Sequence, residues 1–434
     1  MKYKTPAKVE IIAVGSELLA PYYRDTNSLY LTERLNALGF EVAFKTIVGD
    51  NLDDLRPRIK EALDQADLVL ATGGLGPTED DKTREAFAAV LERKLILDQE
   101  ILKKIKERFR RRHISMPGSN RKQAEVIQGA VALANWNGTA PGQWLEVGKK
   151  KIVLLPGPPH ELKPMFEESV WPRLQKERRG YLARKILKIT GLTESRIEML
   201  ISDLYPKKPD LRITVLATPG QIEIHLTSFS PDSAAEAEKK IERLKKKLLS
   251  RLDKYAFSES GEELEEIVGR LLRKKKQTLA VAESCTGGLL SHRLTNIPGS
   301  SDYFLEAAVT YSNTAKAGLL GVPPALIEKH GAVSFSVARA MAQGIRKRAQ
   351  ADYALAITGI AGPGGGSPEK PVGLAFVALA WQTGTEVRKS LFLGKREQVK
   401  FQSTQRALDM LRRHLLRPEK KGKRDENFYR HRSG

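Results

Sequence analysis

TLAVAESCTGGLLSHRLTN, residues 278–296, sets the fold. TLAVA (278–282) is an unbroken apolar run, the mark of a strand covered on both faces. Gly287 and Gly288 interrupt it, and GLLSHRLTN continues as a helix. A buried strand that passes through a glycine turn into a helix is half of a βαβ unit. The same scheme recurs upstream. VEIIAVG (9–15) is followed by Leu31, Leu35 and Leu38 at helical spacing, closed by Gly39. FEVAFKTIVG (40–49) precedes a helix over 52–65, DLVLATGG (67–74) a helix from about Thr83, and IVLLPGPPHEL (152–162) repeats strand, Gly/Pro loop and helix. Downstream, YALAIT (353–358) runs into GIAGPGGGSPEKP, and VGLAFVALA (372–380) reads as a central strand. The expectation is an α/β protein with mostly parallel sheets, whose ligands sit at the C-terminal strand ends where the glycine loops fall.

A chain of 434 residues suits two or three cores rather than one. Between 181 and 255 the texture changes: KILKITGL and QIEIHLTSF alternate like strands of a small antiparallel sheet, and 233–252 is a charged helix. The expected organisation is an α/β domain over 1–175, a small α+β linker domain over 176–258 and a second α/β domain over 259–416. A basic, polar tail over 417–434 is expected to be disordered.

No run of 18 or more apolar residues is present, so no membrane span is expected. The start, MKYKTPAKVEIIAVG, lacks the apolar region of a signal peptide. A single cysteine, Cys285, allows no internal disulfide, and a reducing, cytoplasmic setting is expected. The net charge of +21 gathers in 101–112, 176–188, 239–254, 273–276 and the tail, without the interleaved aromatics that stack bases. Nucleic acid is therefore not the expected partner. Basic faces that steer anionic nucleotides are the other reading of this charge.

The turn AESCTGG (282–288) puts Ser284, Thr286, Gly287 and Gly288 at a helix N-terminus. Such a turn holds a phosphate, or presents a hydroxyl whose oxyanion product meets backbone N–H groups. A plain N-cap has the same appearance. VTYSNTAKAGLLGV (309–322) adds Tyr311, Asn313 and Lys316, and ITGIAGPGGGSPEKPVG (357–373) adds Thr358 and Gly359 at a strand end. Taken with NIPGSSDYF (296–304) and HGAVS (330–334), these motifs over 263–415 resemble the C-terminal domain of the CinA family, the nicotinamide mononucleotide amidohydrolases. The resemblance implies deamidation of nicotinamide mononucleotide to nicotinate mononucleotide and ammonia, with no cofactor.

A serine needs a base to become a nucleophile, and a lysine desolvated in a pocket can supply one. The roles carried by motif are Ser284 as nucleophile, Lys316 as base and Tyr311 as the group that orients or relays the proton. N–H groups near Thr286–Gly288 would stabilise the oxyanion, and Asn313, Thr358 and Gly359 would hold substrate. His292 and His330 read as surface or structural residues. Cys285 is the rival nucleophile, since a thiolate is intrinsically stronger. It also reads as a small core residue, and strand alternation points it away from the side Ser284 faces.

In the first domain TGGLGPTEDDKT (72–83) offers a backbone cradle at Gly73, Gly74 and Gly76, the Thr78 hydroxyl, and the carboxylates Asp80 and Asp81. Carboxylates beside a phosphate cradle suit a hard divalent cation; either would also serve as a helix cap. With VGSELL (14–19), RDTN (24–27), NGTAPG (137–142) and LLPGPPHELKPMF (154–166), residues 8–175 resemble the CinA N-terminal domain, related to molybdopterin-binding proteins. The resemblance implies metal-dependent hydrolysis of ADP-ribose to AMP and ribose 5-phosphate. Mg, Mn or Co would bind at Asp80, Asp81, Glu17 and Asp25, and substrate at the glycine cradle, Thr78 and Asn27. LLAPYYRDTN (18–27) and ANWNGTAPG (134–142) depart from the family pattern through Tyr22, Tyr23 and Trp136. A domain that only binds a nucleotide or a pterin is the alternative. A symmetric homodimer is expected.

Overall fold

The computed structural model describes residues 6–178 and 180–417; beyond Arg417, the expected tail lies outside them. By internal packing the described residues form two compact units, one within 6–184 with 206–212 and 227–243, the other of 185–205, 213–226 and 244–417. Among the described residues no helix is long and apolar enough to cross a membrane.

The first unit is built on strands β1 (Lys8–Val14), β2 (Glu41–Val48), β3 (Leu68–Thr72), β4 (Leu95–Leu97), β5 (Glu125–Ile127), β6 (Val131–Leu133), β7 (Gly142–Val147) and β8 (Lys150–Leu155). Its main sheet has the order β2-β1-β3-β8-β7-β6. The strands β2, β1, β3 and β8 are parallel, whereas β7 and β6 run antiparallel to their neighbours. Alternation along β1 explains why both faces are covered. Val9 and Ile11 face one apolar cluster, which contains Leu31 and Leu35 of helix α1 (Thr26–Ala37). Ile12 and Val14 face another, which contains Leu55 and Ile59 of α2 (Leu52–Gln65) and Phe87 of α3 (Thr83–Val90). Helices α4 (Gln99–Arg111), α5 (Pro159–Met165) and α6 (Trp171–Lys176) complete this part.

The central stretch forms a four-stranded sheet in the order β10-β11-β9-β12, from β9 (Tyr181–Ile189), β10 (Leu211–Thr218), β11 (Gln221–Ser230) and β12 (Ala256–Ser258), with helices α7 (Glu194–Ile201) and α8 (Ala234–Leu252).

The last α/β part contains α9 (Leu264–Lys275), β13 (Leu279–Glu283), α10 (Leu289–Thr295), β14 (Phe304–Val309), α11 (Asn313–Leu320), α12 (Pro324–His330), α13 (Phe335–Ala349), β15 (Tyr353–Gly359), β16 (Leu374–Trp381), β17 (Gly384–Leu391) and α14 (Arg396–Leu415). Its sheet order is β14-β13-β15-β16-β17. Leu279 and Val281 of β13 and Leu355 and Ile357 of β15 point to one core. Ala280, Ala282, Ala354 and Ala356 point to the other, where Val337 and Met341 of α13 lie. Only β14, β13 and β15 are parallel, and β16 and β17 are antiparallel to their neighbours. The expected central strand at 372–380 is thus interior but reversed. The connection 360–373 contains no crossover helix and returns the chain directly, so that Ala375 pairs with Gly359. A connection without a crossover makes the next strand antiparallel, and the two-residue turn between Trp381 and Gly384 then adds β17 antiparallel to β16.

Candidate active sites

Ser284 is the first residue past β13, and its N–H still donates to Ile357 O of β15 at 3.0 Å. The neighbouring strand β14 ends at Val309, and Thr310 N donates to Glu283 O at 2.7 Å. Ser312 then caps α11, its side chain accepting from Ala315 N. This path carries Lys316 back over the end of β13. Lys316 is 1% exposed. Its Nζ lies 3.1 Å from Ser284 Oγ, 2.8 Å from Thr310 O and 3.2 Å from Tyr311 O.

Burial pushes the Lys316 ammonium below the ordinary lysine value, because the charged form loses its hydration. Among the described residues no carboxylate forms a salt bridge with it. A neutral amine has two N–H donors and one lone pair. The two carbonyls can only accept, so they take the donors and leave the lone pair to the Ser284 hydroxyl proton.

Glu283 is fully buried and accepts from Gly288 N, Leu290 N, Ser291 N and Ser291 Oγ at 3.1, 3.0, 2.8 and 2.6 Å. A carboxylate at this helix start satisfies free N–H groups and the helix dipole together. Gly287 and Gly288 have φ of +59° and +93°, which other residues adopt only with strain. The N–H of Gly287 is committed to Ser284 O, and that of Gly288 to Glu283. The N–H groups of Cys285 and Thr286 have no such partner among the described residues.

The other residues singled out from sequence fall in different places. Cys285 sits in the core with Val281 and Leu290, and burial pushes its thiol up to about 11. Tyr311 is 61% exposed; it meets Lys316 through its carbonyl, and its phenol oxygen accepts from Arg396 Nη2 at 3.0 Å. Asn313 is exposed at the start of α11. Thr358 is buried and donates to Ala332 O at 2.9 Å, anchoring the 331–334 turn. Gly359 packs flat on β16, where a Cβ would stand 2.7 Å from Leu374 O.

Sequence reading missed two cations on the first turns of α14. Arg396 bridges Tyr311 and Gly362 O, the latter at 2.8 Å, and Lys400 Nζ lies 3.8 Å from where a Gly287 Cβ would be. The available signal was their position, since cations at a helix N-terminus oppose its dipole and an anionic ligand would relieve them.

The first unit has a cleft of about 570 Å³ lined from the C-terminal ends of β1, β3 and β8. Glu17, Asp25, Asn27, Gly73, Gly74, Gly76, Asp80 and Asp81 all line it; Thr78 does not. The N–H groups of Gly74, Leu75 and Gly76 have no protein partner among the described residues, and three consecutive free N–H groups form an anion cradle. Behind it, buried Arg84 donates to Leu75 O at 2.8 Å and Gly76 O at 3.2 Å, and Thr83 Oγ1 donates to Gly73 O at 2.8 Å.

The carboxylates differ in how free they are. Asp25 caps α1 through Ser28 N. Asp81 accepts from the N–H and hydroxyl of Thr78. Asp50, not expected from sequence, lines the cleft and accepts from Ser16 N and Oγ. Asp80 is solvent-facing, and the nearby Thr78 side chain, its own backbone N–H and Lys122 hold its carboxyl below the usual range. Asn27 Nδ2 donates to Gly157 O at 2.7 Å, and its buried Oδ1 has no protein partner. Among the described residues no three His, Cys, Asp or Glu side chains converge as a metal cage. The donor set fits a hard cation held by one or two carboxylates and completed by phosphate and water.

Residues 261–415 match the family described as the CinA C-terminal domain, 184–258 the damage-inducible protein CinA KH domain, and 10–176 the "probable molybdopterin binding domain". A CinA-like protein of Koribacter versatilis is 46% identical over 94% of this chain and 99% of its own. The chain belongs to the CinA family. A CinA-like protein of Acidobacterium capsulatum is 47% identical over the same shares. Among solved structures, the CinA protein of unknown function from Thermoplasma acidophilum is 31% identical, covering 39% of this chain and 98% of that one with a TM-score of 0.37. KH modules clamp nucleic acid with a G-x-x-G loop, and 184–258 of this CinA chain contains none, its only glycines being Gly191 and Gly220.

Proposed function

We propose that the C-terminal domain is an amidohydrolase that converts nicotinamide mononucleotide to nicotinate mononucleotide and ammonia. The observation that carries this reading is the buried contact between Lys316 Nζ and Ser284 Oγ. Neutral Lys316 takes the Ser284 proton as Oγ attacks the carboxamide carbon. The oxyanion meets the N–H groups of Cys285 and Thr286. The Lys316 ammonium returns its proton to the leaving nitrogen, which departs as ammonia and leaves a Ser284 ester. Water, deprotonated by Lys316, cleaves that ester to the carboxylate. Arg396 and Lys400 supply positive charge for the substrate phosphate.

For the N-terminal domain we propose hydrolysis of the pyrophosphate bond of ADP-ribose, giving AMP and ribose 5-phosphate. The free N–H groups of Gly74–Gly76 receive phosphate oxygens, and Asp80 with Glu17 or Asp81 would hold a divalent cation. When bound, that cation neutralises the charge of the cleaved bond. A chain whose single cysteine, Cys285, is buried in the core supports a cytoplasmic setting. Exposed Leu305 and Val309 on the edge strand β14 support a homodimer.

The deciding experiment is ammonia release from nicotinamide mononucleotide without added metal, for wild type and for Ser284→Ala, Lys316→Ala and Cys285→Ala. Activity lost in the first two variants and kept in the third is expected. No ammonia from wild type would overturn the C-terminal reading. The N-terminal reading is tested by AMP formation from ADP-ribose with added Mg²⁺, which Asp80→Asn is expected to abolish.

A further inference from the structure

The N-terminal domain has a second cleft, of about 400 Å³, between α4 and residues 132–141. One wall is the face of α4 that presents Lys104, Arg108 and Arg111, spaced so that they lie on one side of the helix. Glu107 is the one carboxylate in the lining. The facing wall is the turn that carries Trp136, whose indole is 71% exposed.

This wall is stiff. Arg108 Nη1 donates to Trp136 O at 3.0 Å and Gly138 O at 2.8 Å, which ties the turn to α4. From the other side Asn135 Nδ2 donates to Ala140 O at 2.8 Å and Glu161 Oε2 at 2.6 Å, while its Oδ1 accepts from Gly138 N. Lys104 and Arg111 have no hydrogen-bond or salt-bridge partner among the described residues. A solvent-facing indole on a turn whose backbone is held, opposite unpaired cations, therefore offers a stacking platform and an anion site at once. A purely apolar ligand would desolvate the cations without compensation, and a bare anion would leave the indole unused.

We propose that this cleft binds a nucleoside monophosphate, with its base on Trp136 and its phosphate on Lys104, Arg108 and Arg111. Thr139 lines both this cleft and the glycine-cradle cleft, so the two share a wall at the 135–140 turn. The nucleotide is then either the AMP freed from a pyrophosphate substrate in the cradle, or a nucleotide taken directly from solution. The first source rests on the pyrophosphatase reading above; the binding site itself does not.

The test is calorimetric titration of the full-length protein in EDTA, which prevents turnover, with AMP, ADP-ribose and ribose 5-phosphate. Trp136→Ala is expected to weaken AMP binding about five- to a hundredfold, the range for loss of one stacked base. Trp136→Phe is expected to retain binding, and Lys104→Glu and Arg111→Glu to weaken it. Ribose 5-phosphate affinity is expected to be unchanged by Trp136→Ala. A parallel loss for ADP-ribose assigns the site to the nucleotide half of that substrate, and an unchanged ADP-ribose affinity assigns it to free nucleotide. AMP affinity unmoved by Trp136→Ala, or lost instead in Tyr23→Ala within the first cleft, overturns the proposal. Failure of wild type to form AMP from ADP-ribose with Mg²⁺ would overturn only the pyrophosphatase reading.

Discussion

Lys316 Nζ stands 3.1 Å from Ser284 Oγ, and its two other polar neighbours are the carbonyls of Thr310 and Tyr311. None of the three can neutralise an ammonium, so burial lowers the pKa without a compensating anion. Below that pKa the lysine is charged and can only donate to Ser284; above it the lone pair accepts the serine proton. Ammonia release should therefore rise with pH along a one-proton limb, at lower pH than an ordinary lysine would give. A guanidinium does not deprotonate, so Lys316→Arg is expected to lose activity on the order of 10²- to 10⁴-fold, the usual range for a missing general base. A limb that persists unchanged in the residual activity of Lys316→Arg would place the base elsewhere.

Cys285 should be chemically quiet. Its thiol is buried, and its pKa of about 11 leaves little thiolate at neutral pH. Iodoacetamide is expected to label the native protein far more slowly than the urea-unfolded chain. Cys285→Ala should keep ammonia release within a few-fold while lowering stability by about 1 kcal/mol, as expected for a small buried side chain. Fast labelling together with loss of activity would make Cys285 the nucleophile.

The C-terminal pair was legible because each member lies in a local pattern. Ser284 follows a five-residue buried strand, and Lys316 sits one turn into a capped helix. Alternation also separated Ser284 from Cys285. Strand direction was less legible. VGLAFVALA is as apolar as a parallel strand, and what reverses it is the helix-free connection 360–373, whose glycine-rich sequence does not show that it returns the chain beside β15 rather than crossing over. The place of Arg396 at a helix N-terminus was a signal of an anionic ligand, but the site it serves was not legible. Arg396 reaches that site only because α14 packs against the same core as β13, a relation fixed by tertiary structure. Nor does AESCTGG reveal that Glu283 takes the Gly288 N–H, which leaves the oxyanion role to Cys285 and Thr286.

Glu283 is expected to be structural with an indirect effect on catalysis. Its two oxygens accept four hydrogen bonds at the start of α10. Glu283→Gln replaces one acceptor by an NH₂ aimed at N–H groups and removes a charge favoured there. A loss of about 2–4 kcal/mol in urea unfolding is expected, since hydrogen bonds to charged groups contribute roughly 1.5–3 kcal/mol each. The Ser284 turn should loosen with it, lowering kcat more than it raises KM.

Arg396 and Lys400 should distinguish a phosphorylated substrate from its nucleoside. A lost charge-assisted bond of roughly 1.5–3 kcal/mol corresponds to about a 10- to 100-fold change. Arg396→Ala is expected to raise KM for nicotinamide mononucleotide by that factor with a smaller effect on kcat. Turnover of nicotinamide riboside, which lacks the phosphate, should change little. Equal losses for both substrates would mean that Arg396 acts by holding Tyr311 and the 362 loop in place.

Arg84 provides the corresponding test in the N-terminal domain. It is fully buried, and its guanidinium fixes the carbonyls of Leu75 and Gly76. The peptide unit of Leu75 O carries the Gly76 N–H of the cradle, and that of Gly76 O continues into Pro77, which has no N–H. Arg84→Met keeps much of the volume but leaves two carbonyls unpaired, at roughly 1–3 kcal/mol each. Removing a buried cation whose Nε has no partner offsets part of that. A net loss of about 1–3 kcal/mol follows. The cradle should loosen before the domain unfolds, so exchange of the Gly73 and Thr83 amides, which donate to Leu155 O and Gly74 O, is expected to speed up under native conditions. ADP-ribose hydrolysis should fall, while ammonia release from nicotinamide mononucleotide stays at the wild-type rate. Unchanged exchange at those amides would show that Thr83 and the strand ends hold the loop without Arg84.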